Sequence, residues 1–233
     1  MLSTICSNGS RGTNRSLSAF LSAILAAAAL FLMSAPSASA QQQARAVGAA
    51  TAKIQHAEVA IVAGGCFWCV EADFDKVPGV LSTTSGYIGG KLDNPTYKQV
   101  SGGGTGHAEA VRILFDPTKL SYARLLDIFF RSTDPLTAGG QFCDIGDQYR
   151  NAVFYLDEKQ RRAAEKAKAD LQSSGILKGK IVTTIEKATR FYPAEGYHQN
   201  YARKNAVKYK FYRWNCGRDQ RIKQVWGKKA YTF

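Results

Sequence analysis

Short apolar segments alternate with amphipathic ones along most of this chain. Residues 59–63 form an apolar run, rich in β-branched side chains and ended by two glycines, which predicts a buried strand. Further strands are predicted at 80–84, 150–156 and 181–186, and helices after Cys66, at 122–131 and from a cap at Asp157 to about Gly175. Strands and helices mix without a regular βαβ repeat. The predicted fold class is therefore α+β, a two-layer sandwich in which a mixed β-sheet packs against helices.

A further strand, predicted at 109–115, points a carboxyl group at the core. Side chains alternate between the two faces of a strand, so Glu109 shares its face with three large hydrophobic residues. These are Val111, Ile113 and Phe115. Burial would raise the pKa of Glu109 and keep it protonated near neutral pH, as a general acid requires. The pattern leaves open that the strand begins after Glu109 and that its carboxyl group is solvated.

The first forty residues have the composition of a secretory signal. Arg11 and Arg15 precede an apolar run at about 17–33, and Ala38-Ser39-Ala40 has the small residues of a cleavage site. We therefore predict a signal peptide at 1–40, cleavage after Ala40, and export of the remaining chain. The alternative is a retained transmembrane anchor, because the run is close to the shortest that spans a bilayer.

The remaining chain is long enough for one domain with a hydrophobic core. Residues 41–56 are rich in Gln and Ala and are predicted to be a linker, followed by a folded domain at 57–201 and a C-terminal tail at 202–233. The full chain carries a net charge of +13. Between residues 203 and 229, ten Lys or Arg residues stand against a single acid, Asp219, with aromatic residues between them.

Basic residues interleaved with aromatic ones are found in nucleic-acid-binding proteins. An export signal argues against a nucleic-acid partner for this chain. We expect the tail to be a surface segment that attracts acidic partners or the outer face of a membrane. After signal cleavage we expect no stable membrane insertion.

The segment Gly64-Gly65-Cys66-Phe67-Trp68-Cys69 places two thiols three residues apart at a predicted helix start. Free backbone amides and the positive end of the helix dipole favour a thiolate there, which predicts a lowered pKa for Cys66. A buried pair that merely packs is the structural alternative.

Cleavage would remove Cys6 and leave four cysteines, an even number that permits disulfides in an exported protein. These are Cys66, Cys69, Cys143 and Cys216. A structural zinc site built from all four is a rival interpretation, although the sequence lacks a second C-x-x-C pair. We expect no metal.

Four segments, in this order and spacing, resemble the A-type peptide methionine (S)-sulfoxide reductases. They are Gly65-Cys66-Phe67-Trp68; Gly86-Tyr87-Ile88-Gly89-Gly90 with Asn94-Pro95-Thr96-Tyr97; Thr105-Gly106-His107-Ala108-Glu109; and Asp144-Ile145-Gly146-Asp147-Gln148-Tyr149-Arg150. The resemblance extends from about residue 60 to residue 201. It implies reduction of methionine (S)-sulfoxide in proteins or peptides, and thereby repair of oxidised proteins.

The resemblance assigns a role to each candidate residue. Cys66 would attack the sulfoxide sulfur and Glu109 would protonate its oxygen, while the hydroxyls of Tyr97 and Tyr149 hydrogen-bond that oxygen. The substrate-binding residues would be Phe67 and Trp68, which hold the methyl group, and Asp144, which supports the polar side of the pocket. His107 and His198 lie inside family motifs and are interpreted as structural hydrogen-bonding residues.

A second thiol must then convert the Cys66 sulfenic acid into a disulfide. Many relatives carry glycine at the position of Cys69 and place this resolving cysteine in a glycine-rich tail, which the basic tail of this chain does not resemble. We favour Cys69, and Cys216 and Cys143 remain candidates. We expect no cofactor, a thioredoxin-like electron donor and a monomer. The need for electrons favours the periplasm over full secretion.

A thioredoxin-like disulfide oxidoreductase is the alternative function. It would also use a C-x-x-C pair at a helix start. That alternative leaves Tyr97, Glu109 and Tyr149 without a role.

Overall fold

The computed structural model describes residues 39, 41–43, 45 and 56–231. Apart from Ser39, the predicted signal peptide lies outside the described residues, including Ala40 at its cleavage site, and so does most of the predicted linker. Within the described part of the chain, no helix combines the length and apolar character needed to cross a bilayer.

Residues 56–231 contain eight strands and seven α-helices. The strands are β1 (Glu58–Gly64), β2 (Val80–Ile88), β3 (Ala108–Phe115), β4 (Gly140–Gln141), β5 (Asp144–Ile145), β6 (Asn151–Tyr155), β7 (Thr184–Lys187) and β8 (Tyr192–Pro193). The helices are α1 (Phe67–Phe74), α2 (Tyr97–Ser101), α3 (Tyr122–Arg131), α4 (Glu158–Ser173), α5 (Tyr201–Lys204), α6 (Ala206–Asn215) and α7 (Arg218–Trp226).

Six strands form one mixed sheet in the order β7-β6-β1-β3-β2-β8. The pairs are antiparallel except for β6 with β7, which is parallel. β4 and β5 form a separate two-stranded hairpin. β1, one of the two central strands, is followed directly by α1, so the C-x-x-C segment starts at the end of a strand that has a neighbour on each side.

The two faces of β1 are both buried, but they meet different partners. Ala60 and Val62 face the main core, to which α1, α3 and α4 contribute. Ile61 and Ala63 face a smaller cluster that Phe191 helps to cover. Because both faces of β1 are buried, both are apolar, and residues 59–63 form a continuous hydrophobic run. The helices pack on one layer of sheet, which confirms the predicted α+β two-layer sandwich.

Residues 202–231 do not form a separate surface tail. α7 buries Arg218, Ile222 and Trp226, and the last two pack with Phe130 of α3. The prediction placed the end of the domain near residue 201 because basic and aromatic residues dominate the segment. Ile222 and Trp226 are four residues apart, a helical spacing that the lysines and arginines around them conceal.

Candidate active site

The turn between β1 and α1 fixes the position of Cys66. Gly65 has φ +83°, and a Cβ atom there would lie 2.6 Å from Cβ of Gln141, so the turn requires glycine. Cys66 is the residue before the first helical position, and its carbonyl accepts hydrogen bonds from the amides of Cys69 and Val70. The thiol therefore lies at a helix start, as predicted.

Glu109 lies at the start of β3 and is 2% exposed. Its Oε2 accepts a hydrogen bond of 3.0 Å from the backbone amide of Phe67, which connects the carboxyl group to the turn that carries Cys66. Burial raises the pKa of Glu109 to about 8, although the hydrogen bond from Phe67 acts in the opposite direction. The carboxyl group is therefore buried and mostly protonated at neutral pH, which confirms that the strand includes Glu109.

Local capping positions Tyr97. Thr96 and Gln99 form a reciprocal capping box at the start of α2, and the Tyr97 amide donates to Oε1 of Glu195 at 2.8 Å. The sequence analysis missed this short helix and the role of Glu195, although Thr96-x-x-Gln99 is a capping signature.

A single 3-10 turn, Asp147–Tyr149, carries the second phenol. Burial raises the pKa of Tyr97 to about 12, and burial likewise raises the pKa of Tyr149. Both hydroxyl groups therefore keep their protons and can donate hydrogen bonds.

Phe67 and Trp68 supply aromatic walls. The Trp68 indole donates a hydrogen bond of 3.1 Å to Nδ1 of His198, and its ring stacks on Tyr201 at 3.8 Å between centroids. Burial lowers the pKa of His198, consistent with a neutral ring that accepts this bond. His107 likewise makes structural contacts, since its Nε2 lies 2.8 Å from the carbonyl of Leu92.

One cavity of about 60 Å³ brings the predicted site residues together. Its lining is Cys66, Phe67, Trp68, Tyr97, Glu109, Asp144, Tyr149 and Tyr212. Seven of these eight were named from the sequence. They come from four separate stretches of chain, so the fold gathers groups that are distant in sequence. The cavity accommodates a small group at the thiol, and its wall combines carboxyl groups, phenols and apolar aromatic rings.

Tyr212 is the lining residue that the sequence analysis missed. Its hydroxyl donates a hydrogen bond of 2.6 Å to Oδ2 of Asp144, and its ring meets Trp68 edge to face. Burial raises the pKa of Asp144, while the Tyr212 hydrogen bond and the charge of Arg218 oppose that shift. The available signal was the spacing of Tyr209 and Tyr212, which places both on the inner side of α6.

The two C-x-x-C thiols are free, buried and hydrogen-bonded to each other. Burial raises the pKa of Cys66 well above its ordinary value, and Cys69 and the charge of Glu109 raise it further. The predicted low pKa of Cys66 is therefore wrong, because loss of solvent outweighs the helix start. The hydrogen bond from Cys66, with the charges of Arg218 and Arg213, instead lowers the pKa of Cys69.

Cys143 and Cys216 form a disulfide beside the cavity. It ties the β4–β5 hairpin, which carries Asp144, to the turn between α6 and α7. Among the described residues, the one group of three potential metal ligands within 4.8 Å of each other is Cys143, Asp144 and Cys216. The two sulfur atoms of this group are bonded to each other and are not thiolates, so the group does not resemble a zinc site. The four cysteines form two pairs instead of the four-cysteine cluster considered above.

Comparison with known proteins identifies the chain at the family level. The family model "Peptide methionine sulfoxide reductase" matches residues 58–230. The chain belongs to this family. The match extends well past residue 201 and includes the C-terminal helices, in agreement with their packing in the fold.

Relatives match over most of their own length. Peptide methionine sulfoxide reductase MsrA 2 of Rhizobium meliloti is 49% identical over 183 residues, which cover 78% of this chain and 89% of the relative. Peptide methionine sulfoxide reductase MsrA of Bacillus licheniformis is 49% identical over 172 residues, covering 74% and 95%.

Solved structures of the family share the fold. Mxr1 from Saccharomyces cerevisiae in reduced form is 32% identical with a TM-score of 0.62, covering 65% of this chain and 87% of that one. Methionine sulfoxide reductase A of Corynebacterium diphtheriae is 31% identical with a TM-score of 0.58, covering 65% and 76%.

Proposed function

We propose that this protein reduces methionine (S)-sulfoxide in peptides or proteins to methionine, with Cys66 as the nucleophile. The observation that carries the proposal is the single cavity that joins a thiol, a protonated carboxyl group, two phenols and two aromatic side chains. Membership of the peptide methionine sulfoxide reductase family supports the same reaction.

The methyl group, the oxygen and the sulfur of the substrate sulfoxide meet different residues in this cavity. Phe67 and Trp68 hold the methyl group, and the hydroxyls of Tyr97 and Tyr149 donate to the oxygen. Glu109 supplies the proton as negative charge builds on that oxygen. A site that distinguishes methyl, oxygen and sulfur in this way selects one of the two sulfoxide epimers.

In the first half-reaction, Cys66 Sγ attacks the sulfoxide sulfur and the S–O bond breaks. The balance is one thiol and one sulfoxide giving one Cys66 sulfenic acid and one methionine. The methionine sulfur gains the electron pair, and Cys66 is oxidised. Because burial keeps Cys66 protonated at rest, its proton must leave as it attacks, and its hydrogen bond to Cys69 offers a path.

Cys69 is the resolving residue in this proposal. It attacks the sulfenic sulfur of Cys66, an S–S bond forms, and the hydroxyl leaves as water. Its hydrogen bond to Cys66 and its lowered pKa support this role, whereas Cys143 and Cys216 are bonded to each other. A thioredoxin-like dithiol then reduces the Cys66–Cys69 disulfide by exchange, so no cofactor is needed.

The reaction is tested with separate S and R epimers of a methionine sulfoxide peptide and dithiothreitol as reductant. We expect reduction of the S epimer alone, and loss of that reduction in Cys66→Ser. A folded, reduced protein that leaves both epimers unchanged while catalysing disulfide exchange would favour the thioredoxin-like alternative instead.

The resolving residue is tested by single turnover without reductant. Cys69→Ser should release one methionine per protein and leave a Cys66 sulfenic acid that dimedone traps. The matched control, Cys143→Ser/Cys216→Ser, should form the Cys66–Cys69 disulfide in full yield. A Cys66 disulfide in full yield in Cys69→Ser would assign the role to Cys143 or Cys216.

We further propose that the protein is exported and repairs oxidised proteins in the cell envelope. The periplasm is favoured over full secretion because the reductase needs a continuing supply of electrons. Arg11, Arg15, the apolar run 17–33 and Ala38-Ser39-Ala40 support a cleaved signal. Fractionation of expressing cells and N-terminal sequencing test this, with Gln41 expected as the first residue. An intact N-terminus in the cytoplasmic fraction would contradict it.

A further inference from the structure

Helix α6 exposes an apolar stripe to solvent. Val207, Phe211 and Trp214 are 83%, 65% and 72% exposed. Their spacing of four and three residues places them on one face of the helix. The rings of Phe211 and Trp214 lie 6.0 Å apart between centroids, so the stripe is continuous. Large exposed apolar patches with polar rims mark surfaces that contact a partner or a membrane.

The other side of α6 packs against the domain. Tyr209 is buried there and Tyr212 lines the cavity, so the orientation of the helix is fixed by its inner face. The apolar stripe is consequently held outward by the fold. None of the domain's described core clusters includes a residue of the stripe.

Positive charge flanks the stripe on both sides. Lys208 and Lys210 are exposed and lie to either side of Val207 and Phe211 around the helix. α6 has no acidic residue. An apolar row with Trp and Phe, bordered by lysines whose stems can extend to headgroups, is the composition of helices that lie in the interface of an anionic membrane.

We propose that α6 binds peripherally to the surface of an anionic membrane, with the apolar stripe entering the interface and Lys208 and Lys210 contacting lipid phosphates. The convex helix face and the lack of acids favour a lipid surface over a protein groove. The net positive charge also attracts the protein to that surface: it is +13 for the full chain, of which Arg11 and Arg15 of the proposed signal supply two. This binding goes beyond the proposed reductase activity and does not depend on it.

The position of Tyr212 gives this binding a consequence for the substrate. Tyr212 and the stripe belong to one helix, so a bound protein holds its cavity within about one helix diameter, ~10 Å, of the lipid surface. Methionine sulfoxide in protein segments near the membrane would then lie within reach.

The test is co-sedimentation of the chain from residue 41, which contains the whole described core but not the apolar run 17–33. Vesicles of phosphatidylcholine mixed with phosphatidylglycerol should bind it, and pure phosphatidylcholine should bind it far less. Phe211→Ser/Trp214→Ser and Lys208→Glu/Lys210→Glu should each weaken partitioning about tenfold or more. Cys66→Ser should bind normally, which separates this proposal from the reductase activity.

The matched control is Lys119→Glu/Lys178→Glu, which changes the net charge equally at exposed lysines elsewhere. It should retain most of the binding. Equal loss in both charge variants would overturn the proposal, because bulk charge would then explain the attraction. Absence of binding to anionic vesicles would overturn it as well.

Tryptophan fluorescence gives a second readout. Of the three tryptophans, Trp226 is 4% exposed and Trp68 is only partly exposed where it lines the cavity, whereas Trp214 is 72% exposed. A blue shift on vesicle binding should therefore come from Trp214 and vanish in Trp214→Phe. A shift that persists in Trp214→Phe would place the contact elsewhere. If Phe211→Ser/Trp214→Ser instead slows reduction of an oxidised unfolded protein without vesicles, and leaves vesicle binding intact, the stripe serves polypeptide clients and the membrane proposal fails.

Discussion

Cys66 and Glu109 lie in the wall of the same small cavity, where they are 5% and 2% exposed. Burial raises the pKa of both groups. Each group therefore keeps a proton at rest in neutral solution. A buried nucleophile and a buried acid suit a reaction in which a thiol must lose its proton while a sulfoxide oxygen gains one.

Glu109→Gln should separate the two roles of this carboxyl group. Glutamine can still accept the Phe67 amide hydrogen bond but has no transferable proton, so the single-turnover rate should fall about a hundredfold or more. In the parent protein the rate should also fall as the pH rises through about 8, because Glu109 then ionises. The rate of methionine release, measured across this range, should lose its falling limb in Glu109→Gln.

Circular dichroism and the Phe67 packing environment should be unchanged in that variant, as a control for folding. An unaltered rate, or a falling limb that persists near pH 8, would remove Glu109 as the proton donor.

Tyr212→Phe tests the lining residue contributed by α6. The change keeps the ring against Trp68 but removes the donor to Asp144, so kcat/KM should fall about three- to tenfold. Tyr209→Phe is the control, since Tyr209 lies one turn earlier and outside the cavity lining. Equal effects of both changes on kcat/KM would indicate general loosening of the helix instead of a role in the site.

At the scale of secondary-structure elements, the periodicity of apolar residues predicted the helices and strands whose apolar faces are buried in the core. The bounds of α3 match the sequence prediction, and Asp157 caps α4 by accepting from the Gln160 amide at 2.7 Å. The short helix α2 was missed because glycines surround it. α6 was missed because Val207, Phe211 and Trp214 lie on its solvent side while tyrosines form its inner face. Single-sequence patterns reveal an element when its apolar face is the buried one.

The pKa values of the two thiols show the same limit of reasoning from neighbouring residues in the sequence. The helix start at Cys66 was predicted correctly, but the pKa depends on Glu109, Cys69 and the arginines that tertiary structure brings to the pair. The order and spacing of the sequence motifs identified seven of the eight residues that line the cavity. The eighth, Tyr212, reaches the cavity through the packing of α6.

The Cys143–Cys216 disulfide is expected to stabilise the arrangement of elements and not to take part in turnover. It closes a loop of 73 residues, so Cys143→Ser/Cys216→Ser should lower the free energy of unfolding by about 2–4 kcal/mol. Denaturant titration measures this loss, while turnover with dithiothreitol should stay within about threefold of the parent. Loss of turnover in a folded variant would give the second pair a redox role.

At the scale of the whole molecule, the C-terminal segment completes both the core and the site. Arg218, 1% exposed, donates to the carbonyls of Gly64 and Ser132 at 3.0 and 2.8 Å. One of these carbonyls precedes the turn that positions Cys66. The same segment supplies Tyr212 to the cavity, so the domain cannot be divided near residue 201 without opening the site.

A chain ended at residue 201 should therefore fail to fold. It loses Ile222 and Trp226, which are buried against Phe130, and large buried side chains each contribute about 3–5 kcal/mol. Two such losses, with the Arg218 hydrogen bonds, approach the total stability of about 5–15 kcal/mol of a typical domain. Thermal unfolding should show no cooperative transition, whereas Phe211→Ser/Trp214→Ser, on the exposed face of the same segment, should unfold like the parent. A truncated chain with the parent's transition would mean that the segment only covers an already complete domain.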